Sequence, residues 1–293
     1  MPIDDLVVAT RQAAVRVRQS RGPGEPGELC IVMLHGSGNS IEAFRRQFSS
    51  PLAESHRLIA IDLPGHGLSG NADDPAMAYT LEGLTATVAE VLSAVGCTKA
   101  AVFGWSLGGH IALQLAATTP LVKGLFLTGA PPVALNPLGL LRGFKASLSV
   151  LLATKSVFSE RDVERFERLC FGDSGTEMFR AMIRRSDGRV RVNFVRSLTR
   201  GEGVDQRAFI EKATIPIAIL NGEHDPFVRR SYLEHLKFAN LWRGRCHLVP
   251  GTGHSPFWHA PDIFNPVLGA FMRDLESGEA LAPATAPLER RYG

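Results

Sequence analysis

The stretch Ala100-Ala101-Val102-Phe103-Gly104-Trp105-Ser106-Leu107-Gly108-Gly109 decides how the rest of the chain is read. A short apolar run leads into it, and Ile111-Ala112-Leu113-Gln114-Leu115-Ala116-Ala117, helical in pattern, leads out. Strand, Gly-x-Ser-x-Gly and helix in that order describe a nucleophile elbow, a turn so tight that only glycine fits on either side of the serine. Ser106 would then stand at the top of a sheet. The Leu107 N–H would lie at the positive end of the helix and face an oxyanion. The bare motif also occurs as a glycine-rich turn, so its weight comes from the flanking strand and helix.

Working outward, five more short apolar runs share the character of 100–103: Leu29 to Leu34, Leu58 to Ile61, Leu125 to Leu127, Ile215 to Leu220 and His247 to Val249. Most are separated by helical stretches, which implies buried parallel strands with crossover helices, an α/β chain with a doubly wound sheet. Residues 6 to 19 alternate apolar and polar, as an antiparallel hairpin at a sheet edge would, with Gly22-Pro23-Gly24 as its turn. Between 133 and 213 helical periodicity dominates and no strand recurs. The expected organisation is a core of 1–132 and 214–276, a helical cap of 133–213 inserted between them, and a mobile tail of 277–293 rich in Ala, Pro and charge.

With 293 residues and a net charge of +3, the chain can bury a large core but carries too little charge to imply nucleic acid. Its opening lacks the basic and apolar regions of a signal peptide, and no run of about 18 apolar residues follows. The expectation is a cytoplasmic protein with no membrane partner. Cys30, Cys97, Cys170 and Cys246 are scattered without C-x-x-C pairs, so free thiols are expected.

Serine needs a base to remove its proton, and the base needs a third group to orient it. In a doubly wound sheet such groups gather at the carboxyl ends of the strands. His254, in Gly251-Thr252-Gly253-His254 just after the last run, is the base so placed. No carboxylate occurs between Thr128 and Gly143, whereas Asn221-Gly222-Glu223-His224-Asp225-Pro226 follows the next strand directly. Asp225 is favoured as the acid, on the expectation that Pro226 starts a helix and the aspartate closes the loop; Glu223 stays as the alternative. The second oxyanion donor is assigned to the Ser37 backbone in His35-Gly36-Ser37-Gly38, with Leu107 as the first. His35 reads as a brace for that turn. Asp62 and His66, in Asp62-Leu63-Pro64-Gly65-His66-Gly67, read as makers of local hydrogen bonds. The histidines show no metal-binding spacing, so neither metal nor other cofactor is expected. In the cap, Leu141, Phe144, Leu148 and Leu151 recur at helical spacing, a face that either packs the cap onto itself or lines an acyl pocket.

With Ser106, Asp225 and His254 in that order, and with His35-Gly36 and Pro64-Gly65-His66-Gly67, the chain resembles the α/β-hydrolase superfamily over nearly its whole length. Val102 to Ile111, Thr128-Gly129-Ala130-Pro131-Pro132-Val133, Phe158-Ser159-Glu160-Arg161-Asp162-Val163-Glu164 and Lys237-Phe238-Ala239-Asn240-Leu241-Trp242 are similar, more narrowly, to the N-acyl-homoserine lactonases of that fold. Those enzymes open the lactone ring of bacterial quorum-sensing signals without metal. In that group a tyrosine occupies the cap position held here by Phe166, and an asparagine that of Ser37. The resemblance implies a serine hydrolase acting on a small acyl ester or lactone, with Trp105, Phe144, Leu148 and Phe166 as substrate-binding residues. Two other readings stand beside it: a general carboxylesterase for simple acyl esters, and a hydrolase fold serving as a ligand receptor.

Overall fold

A computed structural model describes residues 2–22, 27–145, 152 and 154–279. Eight strands form one sheet: β1 (Ile3–Ala9), β2 (Ala14–Ser20), β3 (Cys30–Leu34), β4 (Leu58–Ile61), β5 (Ala100–Trp105), β6 (Val122–Thr128), β7 (Ile217–Gly222) and β8 (His247–Val249). Their spatial order is β1-β2-β4-β3-β5-β6-β7-β8. β1 and β2 are antiparallel to each other, and β2 to β4; β4 through β8 are parallel.

The parallel strands are short and apolar because both their faces are covered. Along β3, Ile31 and Met33 join one buried cluster while Val32 and Leu34 join the other, the two-residue period of a strand. α1 (Leu81–Ala94) and α2 (Leu107–Thr118) cover one face; the long helix Pro261–Ser277 covers the other. Between β6 and β7 the chain leaves the sheet for α3 (Pro137–Gly143), α4 (Glu160–Phe171), α5 (Glu177–Arg185), α6 (Arg189–Arg200) and α7 (Gln206–Ile210). α4 starts on a capping box, with Ser159 Oγ and the Asp162 carboxylate serving each other's backbone amides. The switch in strand order falls between β3 and β5, and the crevice at their carboxyl ends is where such sheets bind ligands.

The structure corrects three local expectations. The β1–β2 hairpin closes at Thr10–Ala13, where Thr10 Oγ1 donates to Ala13 O and the Thr10 amide does the same, and not at Gly22-Pro23-Gly24. Pro23 and Gly24 lie outside the described residues. The helical spacing of Leu141, Phe144, Leu148 and Leu151 breaks early: α3 ends at Gly143, and Phe144 is extended because it pairs with Val228. Leu148 and Leu151 lie outside the described residues, as does the expected tail from 280 onward. Third, Pro226 opens no helix; the next one starts at Arg230. Among the described residues no helix is long and apolar enough to cross a membrane, and all four cysteines are free.

Candidate active site

Ser106 is the residue on which the local strain falls. Its backbone takes φ 54° and ψ −115°, a left-handed conformation that a side chain normally avoids. The surrounding packing holds it there. A Cβ at Gly104 would come within 2.5 Å of Gly109 Cα, and one at Gly108 within 2.1 Å of Leu34 O. The two glycines thus let the turn fold on itself and let α2 press against β3. Leu107 is the first residue of α2, so its amide has no acceptor in its own helix and points from the helix's positive end.

Opposite it runs the loop after β3. His35 is fully buried; its Nε2 accepts from the Leu63 amide at 3.0 Å, which requires Nδ1–H to donate to Gly36 O at 2.8 Å. Burial holds the imidazole pKa below its ordinary value, so it stays neutral. His35 thereby braces the Gly36-Ser37 turn from behind. A Cβ on Gly36 would meet Ser106 Cβ and the Trp105 ring at 3.2 Å, so this backbone sits directly against the serine. Asp62 braces the same region, accepting from the Ile41 and Leu68 amides at 2.7 and 2.9 Å. His66 Nδ1 lies 3.2 Å from Pro64 O.

His254 and Asp225 are paired. Asp225 Oδ2 lies 2.8 Å from His254 Nδ1, and both residues are buried. Asp225 Oδ1 accepts from the amides of Phe227 and Val228 at 2.8 and 3.0 Å. This turn explains the absence of a helix at Pro226: the carboxylate caps its own loop instead. Burial pushes the Asp225 pKa up, but the charge and hydrogen bond of His254 and the two amides outweigh it, and the carboxyl sits below its ordinary value. Glu223 is elsewhere. Its Oε2 accepts from Gly251 N at 3.0 Å, and 43% of its side chain is exposed.

Away from the cavity, the imidazole of His254 is closely packed. Phe227 packs edge-on at 4.6 Å between ring centroids, and Trp105 Nε1–H donates to His254 O at 2.9 Å. Gly129 has φ +66° and lies so close that a Cβ there would fall 2.5 Å from His254 Cε1. Among the described residues no hydrogen bond joins Ser106 to His254, yet both line one cavity of about 530 Å³.

That cavity gathers most of the residues singled out from the sequence. Gly36, Ser37, Trp105, Ser106, Leu107, Leu141, Phe144, Phe166 and His254 all line it, while Glu223 does not. Its walls are mostly apolar and include Phe194, Leu198 and Phe227. Sequence reasoning missed His110, Lys145 and Arg191, which also line it. Arg191 is buried, its guanidinium stacked 3.9 Å over Phe158 and bonded to Lys155 O. Lys145 is part of a seam. Its Nζ donates to Asp225 O at 2.5 Å and its amide to Phe227 O at 2.7 Å; next to it Phe144 bridges Val228, and the Arg229 amide bonds Gly143 O. Residues 143–145 are thus sewn along the loop that carries Asp225. Only the tertiary fold reveals this seam. Among the described residues no three His, Cys, Asp or Glu side chains converge as metal ligands would.

A strained serine at a helix start, the Gly36 backbone packed against it and a buried His–Asp pair on the same cavity are the parts from which serine hydrolases are built. The chain belongs to the alpha/beta hydrolase family, whose model matches residues 31–267. It is 37% identical to a variant of the N-acyl homoserine lactonase AidH crystallised with N-hexanoyl homoserine lactone, with a TM-score of 0.89 over 94% of this chain and 99% of that one. AidH complexed with N-butanoyl homoserine is 36% identical, with a TM-score of 0.88 over 98% and 100% of the two chains. The pimeloyl-[acyl-carrier protein] methyl ester esterase of Serratia marcescens is 30% identical over 263 residues, 84% of this chain and 94% of its own length. The chain is an ester-bond hydrolase that resembles the acyl-homoserine lactonases.

Proposed function

We propose that the chain opens the lactone ring of N-acyl-homoserine lactones, and so quenches quorum-sensing signals, by metal-independent serine catalysis. The observation that carries this reading is the likeness to AidH over nearly the full length of both chains. Ser106 Oγ attacks the ring carbonyl while His254 Nε2 takes its proton. Asp225 holds Nδ1–H and stabilises the imidazolium. The Leu107 and Ser37 amides receive the oxyanion. Collapse breaks the ring C–O bond, His254 protonates the departing alkoxide, and water then releases the ring-opened acid from Ser106 by the same steps in reverse. The segment 133–213 acts as the cap over this site. Its apolar lining at Leu141, Phe144 and Phe166, beside Trp105, suits an acyl tail.

The second reading, a carboxylesterase for simple acyl esters, draws on the likeness to the Serratia methyl ester esterase. Proton release separates the two. Acyl-homoserine lactones of increasing tail length should be opened, each methylene that reaches the pocket adding up to ~0.8 kcal/mol of binding. Rapid turnover of aryl esters with no ring opening at any tail length would refute the lactonase reading and leave the esterase.

A further inference from the structure

His110 lies one helical turn beyond Ser106, and its amide donates to Ser106 O at 3.3 Å. Positions four apart on a helix share a face, with Cβ atoms about 5–6 Å apart, and their Cα–Cβ bonds tilt toward the N-terminus. Ser106 is the N-cap of that helix, and the imidazole and the serine line the same cavity. Its other end is anchored. Nδ1 lies 2.8 Å from Gln206 Oε1, an oxygen that also accepts from the Val133 amide at 3.5 Å. The Val133 N–H can only donate, so the Gln206 atom is an oxygen and His110 Nδ1 must carry the proton. Gln206 is 1% exposed, and its Nε2 is buried without a partner.

The tautomer that results leaves Nε2 as a lone-pair acceptor. Among the described residues nothing hydrogen-bonds it, and it is absent from the set of fully enclosed orphan atoms. Burial pushes the His110 pKa down to about 4, so Nε2 stays unprotonated at neutral pH. Phe144 and Phe194, both cavity residues, stand 5.9 and 6.1 Å from the ring and keep its surroundings apolar. An unpaired acceptor in such a place discriminates: it favours a ligand that brings a donor and penalises one that brings another lone pair.

We propose that His110 Nε2 is a specificity-determining acceptor for an N–H borne on the carbon next to the scissile carbonyl. In an N-acyl-homoserine lactone the amide nitrogen and the ring carbonyl carbon are bonded to the same atom. A ring carbonyl at Ser106 thus brings the amide N–H toward a group one helical turn away. The proposal extends the lactonase reading but does not stand or fall with it, because any α-acylamino ester presents the same N–H.

Two matched substrate pairs test it. One is N-hexanoyl-homoserine lactone against the α-hexanoyloxy lactone, in which oxygen replaces the N–H. The other is an α-acylamino nitrophenyl ester against its α-acyloxy counterpart. Each kcat/KM is corrected for the substrate's own hydroxide-catalysed rate. The wild type should prefer the N–H member of each pair by about tenfold or more, and His110→Phe should bring the ratio close to one. His110→Leu gives the same readout if the phenylalanine variant does not fold. A wild-type ratio near one, or a ratio that survives both substitutions, overturns the proposal. Discrimination in the nitrophenyl pair with no ring opening in the lactone pair supports the acceptor role while refuting the lactonase reading.

Discussion

Asp225→Asn is the substitution whose outcome follows most directly from the geometry. The Asp225 carboxylate serves His254 Nδ1 with one oxygen and the Phe227 and Val228 amides with the other. An asparagine has only one oxygen to offer. If that oxygen turned to His254, the amide NH₂ would face two buried N–H donors and leave them unpaired, at a cost of about 2–6 kcal/mol for the two. The oxygen therefore stays with the loop, and the NH₂ donates to Nδ1. This forces the proton onto His254 Nε2, where it faces Ser106 as a donor and cannot act as a base. The expected loss in kcat is about 10⁴-fold, close to 5 kcal/mol of transition-state stabilisation, with the loop still folded. Glu223→Gln keeps its acceptor for Gly251 N at the surface, and its activity should stay within about threefold of wild type. Steady-state proton release from a lactone and an aryl ester, with circular dichroism as the folding control, measures both. Retention of a tenth of wild-type kcat in folded Asp225→Asn would refute the reasoning, and a larger loss in Glu223→Gln would move the acid to that residue.

Four further outcomes are expected. Prolonged EDTA treatment should leave kcat unchanged, because the proposed steps use no Lewis acid; loss restored by zinc would contradict them. In Gly129→Ala the new methyl would stand 2.5 Å from His254 Cε1, so kcat should fall by about 10²-fold with a smaller effect on KM, as measured in the same assay. The Asp225 pKa is depressed in the folded protein, so its contribution to stability is complete above the unfolded carboxylate value of about 3.9 and is lost as pH falls through the lower folded value. The Tm gap between wild type and Asp225→Asn should therefore close below about pH 4; a gap that is flat from pH 6 to 3 would show that the carboxylate is not so linked. Phe166→Tyr adds a hydroxyl to a ring that lines the cavity and should raise lactone kcat/KM relative to aryl esters by up to about tenfold. An unchanged ratio would show that the hydroxyl finds no substrate partner.

What the sequence made legible was local. The elbow could be read because its strand, turn and helix are contiguous and each glycine answers a close approach within a few residues. The boundaries of β4 were readable for a similar reason, since a short apolar run buried on both faces has little else it can be. The hairpin turn was misread because Gly22-Pro23-Gly24 is the stronger turn composition, whereas Thr10 closes the real one with a single hydroxyl. The end of α3 at Gly143 could not be read, because what stops the helix is pairing with Val228, 84 residues away. His110 was hidden for the same reason. On its own helix it is one more buried residue, and its partner Gln206 lies 96 positions further on. Asp225 and Glu223 were both nominated by their strand, and only the turn geometry separates them.

The seam between residues 143–145 and the loop of Asp225 makes one wall of the cavity and that loop a single mechanical unit. Phe144 lines the cavity, so a displacement that parted it from Val228 would strain the Lys145 Nζ bond to Asp225 O and the Lys145 amide bond to Phe227 O. The same displacement tugs on the turn whose amides hold the Asp225 carboxylate. A cavity wall and the acid's loop that are bonded in this way cannot shift independently, so a substitution at 143–145 would be felt at the Asp225–His254 pair.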